Sequence, residues 1–259
     1  MRILYTDIKR ALTSWGFWTC AAGMALTLVI SAGGSIMNLG RPGSVLLPGA
    51  YEGILADALS SDLVLLAVPI LCAIVYTSSF VDDVASGCIK FYMPRCGTRP
   101  YIVARTVSTA LSGGLALFAG IAVAYLVFYA VFAPFEKMPA PEDMAALSAT
   151  PLSLFWDLLA QAVLFMLCGS LWALVGQLFA SLTMSRYAAY ASPFIFYYVL
   201  VILAERYLKD AYALNPKHWL NLDGLQTGSV FSAVPLLAGI IAVAGLLFGL
   251  IAKRRLQRE

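Results

Sequence analysis

The chain has a single histidine, His218, in the stretch Asn215-Pro216-Lys217-His218-Trp219. A serine nucleophile needs an imidazole or comparable base within hydrogen-bond reach, and a hydrolytic zinc is held by several histidine, carboxylate or thiolate ligands. One imidazole lying outside the long apolar runs can complete neither a Ser-His dyad nor a two-histidine zinc site, so His218 reads as an interfacial side chain. Paired carboxylates are also missing: Asp157 stands near the end of an apolar run with no second carboxylate at its depth, so no aspartyl dyad is expected. Cys20, Cys72, Cys88, Cys96 and Cys168 mostly fall inside apolar runs, where thiols act as small hydrophobes. Cys88 and Cys96 frame a charged loop, but their spacing and the lack of a nearby histidine argue against zinc.

Nucleotide chemistry fares no better. Leu111-Ser112-Gly113-Gly114 spells the start of an ATPase signature loop, yet Leu115 follows it and the stretch sits inside an apolar run. The chain has no Gly-x-x-x-x-Gly-Lys-Ser/Thr phosphate loop. Ser112, Gly113 and Gly114 therefore read as small residues that let helices approach closely. Ion-coupled transport would call for carboxylates, histidines or broken helices near mid-membrane, and the apolar runs are nearly free of them. Gln161 and Gln177 are the main polar side chains there, suited to interhelical hydrogen bonds or to lining a pathway. No catalytic residue, metal site or bound cofactor is expected in this chain, and it is not expected to be an enzyme. A protein that moves a solute without its own ion relay must draw its energy elsewhere.

The elements that carry these residues follow from composition. Hydrophobic residues make up 61% and charged residues 12%, against roughly 45–50% and about 25% in soluble domains. The net charge of +3 is too small to imply nucleic acid as a partner. A helix crossing the bilayer needs about 20 mostly apolar residues. Six segments meet this, at about 15–36, 63–80, 107–132, 154–182, 187–204 and 233–252, within a single membrane domain spanning 1–259. The turn Thr183-Met184-Ser185-Arg186 makes the fourth and fifth an antiparallel hairpin. The first run is too long for the apolar part of a secretory signal and is read as a retained span. Before it, residues 1–14 predict an amphipathic helix in the headgroup plane. Leu4, Ile8, Ala11, Leu12 and Trp15 share one face, and Arg2, Thr6, Lys9 and Thr13 the other.

Charge sets the orientation. Arg41, Lys137, Arg206, Lys209 and Lys217 fall on one side of the six spans, and the remaining twelve of the 17 Lys and Arg fall on the other, with the termini. The positive-inside rule then puts both termini in the cytoplasm of an integral cell-membrane protein. The last outer segment, 205–232, mixes Tyr207, Leu208, Tyr212, Leu214, Trp219 and Leu220 with charges, which predicts short helices dipping into the outer leaflet.

The largest polar interruption on the cytoplasmic side is the loop at 81–100. Asp82 and Asp83 suit the start of a short helix, where the macrodipole favours carboxylates, and Gly87 suits its end. Ile89, Phe91, Tyr92 and Met93 then offer an apolar surface before Pro94, and Thr98-Arg99-Pro100 reads as the cap and first turn of the third span. In these residues the chain resembles the permeases of type-2 ABC exporters, whose loop carries an acidic residue four before a glycine, then an arginine, a tyrosine and a basic residue. Asp83 and Gly87 match the first pair, and Arg99, Tyr101 and Arg105 the rest, with Asp and Arg where the family more often has Glu and Lys.

The resemblance implies an all-α polytopic fold with six transmembrane helices, an interfacial N-terminal helix, a cytoplasmic coupling helix and short outer helices before the last span, in a bacterial cell membrane. It implies that the loop docks on a separate ABC ATP-binding subunit, which alone would carry ATP and Mg. Asp82, Asp83, Gly87, Lys90, Phe91, Arg95 and Arg99 would be contact or positioning residues, with Tyr101 and Arg105 at the mouth of the third span. Other implied partners are a second permease copy or homologous permease and membrane lipids. The expected activity is export of a hydrophobic or amphipathic substrate such as a peptide, drug or lipid. The rival readings are a non-conducting anchor or sensor subunit and an intramembrane lipid-modifying enzyme.

Overall fold

The computed structural model describes residues 2–39, 50–89, 96–132, 151–207, 216–217, 219–220 and 230–257. The protein is an all-α polytopic membrane protein. Among the described residues six helical segments are long and apolar enough to cross a membrane: Trp15–Met37, Asp62–Ala85, Thr98–Phe132, Phe155–Thr183, Arg186–Arg206 and Val234–Leu256. The helices are α1 (Arg2–Leu12), α2 (Trp15–Leu39), α3 (Ala50–Leu59), α4 (Asp62–Val75), α5 (Ser79–Ala85), α6 (Thr98–Phe132), α7 (Pro151–Thr183), α8 (Arg186–Arg206) and α9 (Val230–Leu256).

The chain enters through α1, which buries Ala11 and half-buries Leu4, Ile8 and Leu12 as the amphipathic pattern requires. Trp15 departs from that pattern and is exposed. The reason is a break at Thr13 and Ser14 that resets the helical phase. The Ser14 hydroxyl donates to Ala11 O at 2.7 Å and accepts from Phe17 N at 3.3 Å, so it closes α1 and caps α2. Trp15 thus opens a new helix rather than ending the old one.

The second span, expected as one helix over 63–80, is two. Ser61 caps the start of α4 and Pro69 sits within it. The helix stops at Val75, and its C-cap Tyr76 leaves helical geometry with φ −152. Fourteen residues rise only about 21 Å, less than the hydrocarbon thickness of roughly 30 Å, so α5 must complete the crossing after the break. Gly87, at φ +69, ends α5 in the left-handed region, with its N–H donating to Val84 O at 3.0 Å.

α6 is longer than the expected third span and starts at Thr98, because the arginines of its first two turns do not interrupt it. α7 lies at the centre, against α4, α6, α8 and α9. Where it crosses α6 the backbones are close: a Cβ on Gly113 would lie 2.5 Å from the Ala173 Cβ and 2.8 Å from Gly169 O, and one on Gly114 would lie 2.5 Å from Met166 O. Only glycine permits that approach.

A short helix not expected from the sequence, α3, precedes the second span. In α3, Tyr51, Glu52, Ile54, Leu55, Ala58 and Leu59 are all buried, and the five apolar ones stand at helical i, i+3, i+4, i+7, i+8 spacing. The helices expected in 205–232 fall largely outside the described residues, as does His218. Trp219 and Leu220 of that segment are buried.

Candidate functional site

The ends assigned to the cytoplasm by charge meet at one end of the bundle, called here the inner end. At its centre is Arg105 of α6, whose side chain is 0% exposed. Burying a guanidinium is costly unless its donors are met by oxygen acceptors, and four groups from α1, the end of α4 and α5 meet them. Arg105 Nη1 donates to Asp7 Oδ1 of α1 and to the Tyr76 hydroxyl, each at 2.7 Å. Nη2 donates to Ser79 O at 2.9 Å and to Asp83 Oδ2, both of α5. Arg105 Nε has no partner among the described residues.

The surrounding groups tie these partners to one another. Tyr101, one turn before Arg105, donates to Asp83 Oδ2 at 3.0 Å, Tyr76 donates to Asp7 Oδ1 at 3.2 Å, and Arg10 Nη1 donates to Asp83 Oδ1 at 3.2 Å. The Arg105 guanidinium also lies 5.0 Å from the ring centroid of Tyr76 and 5.9 Å from that of Tyr101, within cation–π range. Two arginines and two aspartates make a neutral cluster, a form in which buried charge can persist.

Local helical spacing accounts for the convergence. Residues 101 and 105, 79 and 83, and 7 and 10 lie three or four apart, so each pair shares one helix face. The break at Tyr76 turns the chain so that its ring and α5 both face α6. A second layer binds α8: Arg186 Nε pairs with Asp82 Oδ1 at 2.5 Å, and Ser78, which donates to Asp82 Oδ2 at 3.1 Å, accepts from the Tyr190 hydroxyl at 3.3 Å. Arg255 of α9 donates to Leu182 O at the end of α7 at 2.5 Å.

The residues singled out from sequence divide accordingly. Asp83, Tyr101 and Arg105 come together, and Asp83 is buried, so its carboxylate serves as an internal counter-ion and positions α5. Asp82 is half-exposed beside Arg186, and Arg99 is exposed on the first turn of α6. Lys90, Phe91 and Arg95 lie outside the described residues. Gln161 and Gln177 are buried, but both side-chain amide atoms of Gln177 lack a hydrogen-bond partner among the described residues, so Gln177 does not make the interhelical bond expected of it. Ser112 donates to Thr109 O at 3.1 Å within its own helix. Asp7, Arg10, Tyr76 and Ser79 were not singled out. Asp7 alone carried a signal, as an acidic residue on the apolar side of an amphipathic helix.

A scan of protein-family models, a search of curated proteins and a search of solved structures each returned no match to this chain.

Proposed function

We propose that this chain is the permease subunit of an ATP-driven ABC exporter, carrying a hydrophobic or amphipathic substrate across the membrane with energy from a separate ATP-binding subunit. The observation that carries the reading is the ionic connection from α5 through Asp83 and Arg105 to α6 and on to Asp7 of α1. A short helix at the inner end that is fastened to the longest membrane helix is what a coupling element requires. A load applied to α5 reaches the bundle through a guanidinium that has no solvent to relax into. The six apolar crossings, the amphipathic α1 and the scarcity of charge between the two ends fit a conduit for apolar cargo better than a path for a hydrophilic ion.

The test is purification from native membranes with and without Arg99→Glu, a charge reversal at an exposed position. The expected result is co-purification of a nucleotide-hydrolysing subunit by the parent chain. The variant should lose that subunit or its substrate-stimulated turnover while melting at the parent temperature. Recovery of the chain with no ATPase, or unchanged turnover in the variant, would count against the docking role, and the first result would favour an anchor subunit.

A further inference from the structure

Between the α1–α2 elbow and the break in the second span lies a cleft of about 430 Å³. Arg10 and Ser14 line it on one side, Ser78, Ser79 and Asp82 on the other, and Ile74 lies toward the bilayer. Arg10 is a cation with 57% of its side chain exposed and one nitrogen engaged by Asp83. Across the cleft stands the Asp82 carboxylate. Ser79 is 5% exposed, and its hydroxyl has no hydrogen-bond partner among the described residues. Such a group is unfavourable unless something else in the cleft bonds it.

The depth of the cleft is marked independently. Trp15 and Trp18 on the first turn of α2 and Tyr187 on the first turn of α8 are exposed, as aromatic side chains are at a membrane–water boundary. From the cleft an apolar strip runs along α4: Ile74, Ile70, Leu66 and Leu63 are all exposed and three or four residues apart. The site therefore offers a cation, an anion and hydroxyls at headgroup depth, with a hydrocarbon-facing track leading away from them.

We propose that this cleft binds the headgroup of a phosphoethanolamine phospholipid, with the phosphodiester on Arg10, the ammonium on Asp82 and one acyl chain along the α4 strip. The ammonium brings N–H donors from which the carboxylate can accept alongside its bond from Ser78 and its ion pair with Arg186. A phosphocholine headgroup has the same charges but no N–H, and an anionic phosphoglycerol headgroup offers Asp82 only neutral hydroxyls and no cation. The inference is independent of the exporter reading.

The test uses the full chain in detergent, with native mass spectrometry during titration by phosphatidylethanolamine, phosphatidylcholine, phosphatidylglycerol or inorganic phosphate. Phosphatidylethanolamine should bind about tenfold more tightly than phosphatidylcholine. Asp82→Asn should abolish that preference, and Arg10→Gln should weaken both lipids alike, with Arg10→Lys restoring them. Thr13→Trp, which puts an indole at an exposed residue of the cleft lining, should abolish binding if Arg10→Gln does not fold. Equal affinity for the two zwitterionic lipids, preference for phosphatidylglycerol, displacement by inorganic phosphate, or a preference that survives Asp82→Asn would each overturn the proposal.

Discussion

In its inner half α6 buries Tyr101, Arg105, Ser108, Thr109 and Ser112 among Ile102, Ala104, Gly113 and Gly114, whereas in its outer half it buries only Ala116, Leu117, Gly120, Ile121, Ala124 and Phe128. The inner half adds directional contacts with α1, α5 and the Tyr76 break to its close packing on α7. The outer half is held by shape, with Gly120 placed so that a Cβ would lie 2.6 Å from the Met24 Cβ of α2. The polar half is also incompletely satisfied. Arg105 Nε, Ser108 Oγ and Thr109 Oγ1 are buried without partners among the described residues, while no such atom occurs on the apolar half. Buried polar groups left without partners have bonds still to make, but interlocked apolar surfaces must separate before they rearrange. The difference marks the inner half as the part of α6 equipped to change its contacts.

Substitutions can break or sharpen that contrast. The largest effect is expected from Arg105→Met, which leaves Asp7 without its counter-ion and Asp83 with Arg10 alone and should cost about 3–5 kcal/mol, read by thermal melting in detergent. Neutralising both aspartates in the same chain should recover part of the loss, because the penalty belongs to unpaired charge rather than to the missing arginine. Gly114→Leu forces α6 away from Met166 and Ser170 and should cost about 1–3 kcal/mol. Ile121→Val in the apolar half should cost about 0.5–1.5 kcal/mol. If Arg105→Met proves no worse than Ile121→Val, the cluster is not the principal fastening of the inner end. Arg186→Ala removes a partly exposed pair and should change stability by less than about 1 kcal/mol, while freeing the Tyr190 side of α5 to exchange deuterium faster.

Much of the architecture could be read before any coordinates, because a bilayer leaves few solutions for a chain with long apolar runs. The amphipathic face of α1, the turn between α7 and α8 and the glycine that ends α5 were legible for the same reason: each is a local pattern with a local cause. Two features were not. Hydropathy treats Arg105 as a flank that stops a span, since it cannot know that Asp7, nearly a hundred positions earlier, will neutralise it. The break at Tyr76 was hidden because residues 72–80 are apolar enough to continue α4, and only the tertiary pull of Arg105 on Tyr76 and Ser79 gives the interruption a cause. The ion cluster was visible in fragments, as Asp83, Tyr101 and Arg105, while its α1 members were not singled out. Long-range charge pairing leaves no periodic trace.

The close crossing at Gly113 and Gly114 lies about 23 Å along α6 from Thr98 and about 27 Å from Phe132. A stiff rod held near its midpoint behaves as a lever with arms of almost equal length. Displacing the inner end sideways, with the glycine contacts as fulcrum, would press the outer arm the opposite way, against the close Gly120 contact with Met24 of α2.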